Sequence, residues 1–257
     1  MPRATMVAPL LACLLFTAGC SGSDAVTSKG STPDASATGS ASETKSPLAG
    51  LSAEKVWKQA KANVAQATSV HVIGRMKDGK DKIALNLKLT ESGKAFGSIV
   101  VNGEKMTIRR LGKTLYFKAD RQFWTTSADA ATADALANKW IMVKKGSSSD
   151  IKEFFQLTDL DFILGETMTL TAASAKKLKL APGIDIGEVS TVGLVDKGAK
   201  ASKGEFETLY ISDTDTALPM NFSMPTDDTQ YMRFREWNET FKVAAPKGAI
   251  DLAAAGN

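Results

Sequence analysis

Four dipeptides suited to tight turns, Asp78-Gly79, Ser92-Gly93, Asn102-Gly103 and Gly112-Lys113, punctuate residues 70–118 and leave only short apolar-rich segments between them. Asp-Gly and Asn-Gly supply the positive φ angles that two-residue hairpins require, so each segment is directed to pair with its neighbour in sequence. The pattern predicts an antiparallel meander with strands at 70–76, 83–89, 96–101, 106–111 and 115–118. In the second of these, Ile83, Leu85, Leu87 and Leu89 alternate with Ala84, Asn86 and Lys88. That two-residue period belongs to a sheet with one apolar face and one wet face.

A helix precedes the meander. Ser52 stands where an N-cap belongs, Val56, Trp57, Ala60, Val64 and Ala67 share one stripe, and Glu54 is spaced to pair with Lys58. After the meander, residues 127–138 and 150–155 read as short helices, and Lys176, Lys177 and Lys179 as a solvated helical face. Strand patterns return at 188–196, 205–212, 220–224 and 231–243. No second linker or internal repeat divides residues 51–257, which are expected to form one α+β domain around a large antiparallel sheet.

The first fifty residues have a different character. Arg3 precedes an apolar stretch at 6–16 that has the length of an export-signal core and is too short to span a bilayer. It ends in Phe16-Thr17-Ala18-Gly19-Cys20, which resembles the lipobox of bacterial lipoproteins, although Thr17 stands where Leu is commonest. The resemblance implies a signal peptide over 1–19 and acylation of Cys20. Residues 21–50 are dominated by Ser, Thr, Ala and Gly and contain no aromatic side chain, so residues 20–50 read as an anchor and a flexible tether. With Cys13 inside the signal core, Cys20 is the single cysteine of the mature chain, and no internal disulfide is available to it.

Composition removes most catalytic classes. The chain has 2 Cys and 1 His, which leaves little material for metal centres or nucleophilic triads, and its net charge of +4 is too mild to indicate nucleic acid. No cofactor or metal is expected. The one imidazole, His71, falls on the wet face of the first strand and reads as a hydrogen-bonded strand residue. Asp159 with Asp161, and Asp213 with Asp215, lack the glycine and distal glutamate of a calcium loop and read as cap and turn residues.

The order of parts also resembles a known family. Ser69-Val70-His71-Val72 with Gly74 follows the first helix, Leu209-Tyr210-Ile211-Ser212 leads to Leu218-Pro219, and Phe234-Arg235-Glu236-Trp237-Asn238 closes the last strand. Together these resemble the actinobacterial LppX/LprAFG lipoproteins, which share the LolA-like fold of the lipoprotein carriers and of the sensor RseB. The resemblance implies a sheet curved into a half-barrel, with a few helices over its concave face enclosing an apolar cavity. It implies a lipid-anchored protein on the extracytoplasmic face of the cell membrane that binds a lipid or lipidated molecule. The alternative is an RseB-like sensor or interaction module with an envelope protein as partner; an enzyme is not expected. The candidate cavity lining is Leu85, Leu87, Met106, Ile108, Phe117, Met220, Phe222 and Met224, chosen for the apolar sheet face and for the adaptability of methionine in apolar pockets.

Overall fold

The computed structural model describes residues 46–252, except 79, 127, 147–148, 169–174, 197–207 and 225–226. The expected signal peptide, Cys20 and the tether up to residue 45 lie outside the described residues, as does the side chain of Met224.

Helix α1 (Ala53–Val64) starts where its cap directs, with the Ser52 hydroxyl accepting from the Lys55 N–H at 3.3 Å. The i,i+4 pair forms, with Lys58 Nζ 2.7 Å from Glu54. Val56, Trp57, Ala60 and Val64 are buried on one side, and burying side chains such as Val56 and Trp57 contributes roughly 1.5–3 kcal/mol each. The folded body reaches back beyond residue 51. Leu48 is buried in the core, and its N–H donates to Asp213 Oδ1 at 3.0 Å.

The meander follows as β1 (Ser69–Asp78), β2 (Asp81–Thr90), β3 (Lys94–Val101), β4 (Glu104–Leu111) and β5 (Thr114–Ala119), paired antiparallel in sequence order. Short helices α2 (Arg121–Thr125) and α3 (Ala130–Leu136) lead to β6 (Ile141–Lys144), which extends the sheet beside β5. Helices α4 (Ser149–Leu157) and α5 (Leu160–Thr167) come next, then β7 (Leu178–Ala181), β8 (Asp185–Ile186), β9 (Val189–Asp196), β10 (Thr208–Ser212), β11 (Pro219–Met224) and β12 (Asp227–Arg235). Because β12 pairs with β1, the second group of strands joins the first in one open sheet, which with β13 (Ile250–Asp251) is ordered β13-β6-β5-β4-β3-β2-β1-β12-β11-β10-β9-β7. This is the expected α+β class.

The structure corrects the expectation in three places. The last long strand ends at Arg235 rather than at 243, because Glu236 and Asn238 take positive φ angles of 51° and 61° and turn the chain off the sheet. Residues 236–249 then run as a strap across the outer face, where Phe241 meets Phe96 edge-on at 5.2 Å and the Ala244 carbonyl accepts from Arg109. The strap delivers β13 (Ile250–Asp251) to β6 in parallel, so the sheet is mixed and not wholly antiparallel. Finally, Lys176 and Lys177 lie in a turn and Lys179 in β7, not on a helical face.

Gly97 is required by the approach of β2. At its φ of 144°, a Cβ would lie 1.9 Å from the Asn86 carbonyl oxygen, so any side chain would have to displace backbone.

Candidate functional site: the inner face of the sheet

Strand register fixes which side chains share the face beneath the helices. One row runs Phe234, Val72, Leu87, Gly97, Ile108, Phe117, Ile141 across β12 and β1–β6. The adjacent row begins Leu194, Leu209, Phe222 and Met232 and continues through Gly74, Leu85, Ile99 and Met106 to Ala119. Six of the eight candidate lining residues, Leu85, Leu87, Met106, Ile108, Phe117 and Phe222, therefore stand on two neighbouring rows of one face.

Within that face their surroundings differ. Leu85, Leu87, Met106 and Ile108 are at most 2% exposed, whereas Phe117, Phe222 and Met232 are only half-buried. Met220 departs from simple alternation. Asn221 faces Tyr210 while Pro219 faces Ile211, so Met220 is an extra residue with no opposite number on β10. A second irregularity separates Ser223 from Met224 in the pairing with β12. The expected common face of Met220, Phe222 and Met224 is interrupted at both ends.

The helices are fastened over this face by identifiable contacts. Phe154 of α4 stacks parallel on Phe117 with ring centres 6.4 Å apart, and Trp124 of α2 lies against the same ring at 5.6 Å. The Trp124 indole N–H is buried with no acceptor among the described residues. Near the end of α5, the Thr167 hydroxyl approaches the Met232 sulfur at 3.9 Å. Arg110, in phase with Met106 and Ile108 and 5% exposed, donates to the carbonyls of Phe155 at 3.0 Å and Thr158 at 2.9 Å. It also meets the carboxylate of Asp159, the N-cap of α5. Sequence reasoning passed over Arg110, although a cation in phase with a buried apolar face was the available signal.

Between α1 and α5 a groove of about 350 Å³ opens to solvent, with Val64, Ala67, Leu160, Leu164 and Met168 below and Lys61, Glu91 and Asp161 around it. None of the eight candidate residues lines this groove.

His71, Asp159 and Asp213 are each engaged in local polar contacts. His71 is on the outer face, its Nδ1 3.1 Å from Glu236 Oε1 and its Nε2 2.8 Å from Asn86 Oδ1. Glu236 is also bonded to Lys88, and this contact first, then that of His71, holds its carboxyl below the ordinary value of 4.5. Asp159 caps α5, and Asp213 accepts from Leu48. Among the described residues no group of three His, Cys, Asp or Glu side chains is placed to hold a metal, and no helix is long and apolar enough to cross a membrane.

An open, mixed sheet with helices packed on one apolar face is the LolA-like α+β architecture. LprF from Mycobacterium bovis has this fold: it matches with a TM-score of 0.51 at 14% identity, over 76% of this chain and 97% of that one. The Mycobacterium tuberculosis lipoprotein LppX aligns with a TM-score of 0.45 at 14% identity, covering 75% and 98% of the two chains. The Pseudomonas aeruginosa MucA/MucB complex gives a TM-score of 0.30 at 14% identity, over 76% of this chain and 59% of that one. No family model and no curated protein matches the sequence.

Proposed function

We propose that the protein is a lipid-anchored extracytoplasmic carrier or binding module, and not an enzyme, that holds an apolar ligand, a lipid or lipidated molecule, between the inner face of its sheet and the helices above it. One observation carries the reading. On a largely buried inner face, Phe117, Phe222 and Met232 are large apolar side chains that remain partly accessible beneath the helices. Large, soft apolar side chains left partly open under a lid suit an acyl chain better than a polar solute.

Anchoring through acylated Cys20, after removal of residues 1–19, belongs to the same reading and is supported by the export-signal core and the Ala18-Gly19-Cys20 sequence. Native mass spectrometry of the protein extracted gently from bacterial membranes, together with metabolic labelling by palmitate, tests both halves. A non-covalent adduct of lipid mass and label lost on Cys20→Ala are expected. Protein free of any adduct would remove the carrier reading, and label retained in Cys20→Ala would remove the anchor.

A second reading, an envelope interaction module, is favoured by Leu180, within the terminal strand β7, and Ile184, just after it, which are 50% and 43% exposed. Exposed apolar side chains at an open strand edge suit a protein partner.

A further inference from the structure

Apart from Glu236, which follows β12 and is bonded to Lys88 and His71, the described outward side chains of β1–β5 and β12 carry charge of one sign. Arg75 and Lys77 on β1, Lys82 on β2, Lys105 on β4, and Arg233 and Arg235 on β12 all point outward and are exposed. Among the described side chains, no outward position on β1–β5 or β12 is acidic. Lys77 and Lys82 are directly opposite each other in the register of the hairpin, which sets two cations side by side at one end of the patch.

The neighbouring cations behave differently. Lys88 is paired with Glu236, Arg109 and Lys118 lie over the Trp140 ring at 5.0 Å and 5.5 Å, and the strap covers Phe96. By contrast, among the described residues Arg75, Lys82, Lys105 and Arg235 have no carboxylate within ion-pair distance. Arg233 stacks on Tyr231 at 4.5 Å. With strands about 4.8 Å apart, the patch from β12 to β4 is about 20 Å wide.

We infer that this face docks on the anionic phospholipid surface of the membrane, an inference that rests on the anchoring reading. Two features favour a bilayer over an acidic protein. The cations are spread across adjacent strands around half-buried Ile73, Val100 and Tyr231, and none of them lines the described groove. On the sequence reading of residues 20–45 as a tether, flexible-chain scaling gives a reach of about 30 Å, which keeps an anchored domain near the headgroups. Basic groups within a Debye length, about 8 Å at physiological ionic strength, are attracted to such a surface. Docked this way, the outer face lies on the membrane and the helix-covered face points away from it.

The experiment uses the full acylated chain in vesicles of phosphatidylcholine alone or mixed with phosphatidylglycerol, with lysine acetylation by an activated ester read by mass spectrometry. On the anionic vesicles Lys82 and Lys105 should react about 5-fold more slowly than on the neutral ones, while Lys55 and Lys58 of α1 react equally on both. In about 1 M salt, where the Debye length is about 3 Å, the protection should vanish. The combined variant Arg75→Gln, Arg233→Gln, Arg235→Gln should lose it at an unchanged thermal midpoint.

Equal labelling on both vesicles overturns the inference, as does protection that survives in salt or in the variant. Protection by polyglutamate in place of anionic vesicles overturns it in favour of an acidic protein partner. Failure of the anchor reading shows separately, because a chain without acyl groups does not float with the neutral vesicles.

Discussion

The guanidinium of Arg110 on β4 and the carboxylate of Asp159 stand 3.2 Å apart, and through this pair a sheet strand holds the N-terminus of α5. The same guanidinium binds the Phe155 and Thr158 carbonyls and lies over the Phe155 ring at 5.3 Å, so it closes the end of α4 as well. One buried cation thereby fixes both helices over the inner face. Arg110→Met should cost about 3 kcal/mol, because two carbonyls lose their donor and a carboxylate its partner. Asp159→Asn keeps a capping oxygen and should cost about 1 kcal/mol. Urea unfolding of the two variants checks the order, and equal losses would contradict it.

The start of the folded body is set by Leu48 rather than by α1. Leu48 is 3% exposed, and Leu48→Ala should cost about 2–3 kcal/mol. Removing residues 21–45 should change stability by less than about 0.5 kcal/mol, the scale of changes away from core contacts. A deletion that extends to residue 50 removes Leu48 and should behave like the point variant.

Glu236 gives the fold an acid-sensitive element. Its carboxyl titrates lower in the folded protein than the ordinary 4.5, first through Lys88 and then through His71. The group therefore adds stability above its unfolded pKa and loses it as the pH falls through the lower folded value. The side chain is 35% exposed, so solvent screening limits the contribution to a few tenths of a kcal/mol. Unfolding free energies of the protein and of Glu236→Gln should differ by a constant amount above about pH 5 and converge below it. A gap that instead widens in acid would contradict the assignment.

How much was legible in the sequence depended on how local the determinant was. The meander strands and α1 are set by neighbours in sequence, the Asn-Gly type turns and the Ser52 cap, and these strands and this helix stand where the pattern put them. Strand β6 and strand β13 were not anticipated: Ile141–Lys144 is four residues long, and Ile250–Asp251 pairs only because the strap carries it across the sheet. Alternation placed Leu85, Leu87, Met106 and Ile108 on one face correctly, but it assumes an unbroken ladder. The bulge at Met220 is a property of pairing between strands, which one strand's pattern does not contain. The outer-face charge escaped notice for a related reason: Arg75, Lys105 and Arg233 are far apart in sequence and meet only through register.

The difference in burial along the inner face yields the decisive test of a ligand site. Leu87 is 1% exposed, between Val72 and Gly97 in its row, and has no room to grow. Leu87→Trp should therefore chiefly destabilise, by about 1–3 kcal/mol. Met232 is half-buried, its Cγ leans to 3.6 Å from where a Gly74 Cβ would stand, and its unbranched chain can swing aside. If the space beside Met232 holds an acyl chain, Met232→Trp should leave the urea midpoint nearly unchanged and reduce the lipid adduct seen by native mass spectrometry, because the indole takes the volume the ligand would fill. If that space is instead closed by the protein's own side chains, Met232→Trp must destabilise as Leu87→Trp does. A matching loss of stability in both variants, with no adduct in the unmodified protein, would leave the exposed edge at Leu180 and Ile184 as the better account of what this protein binds.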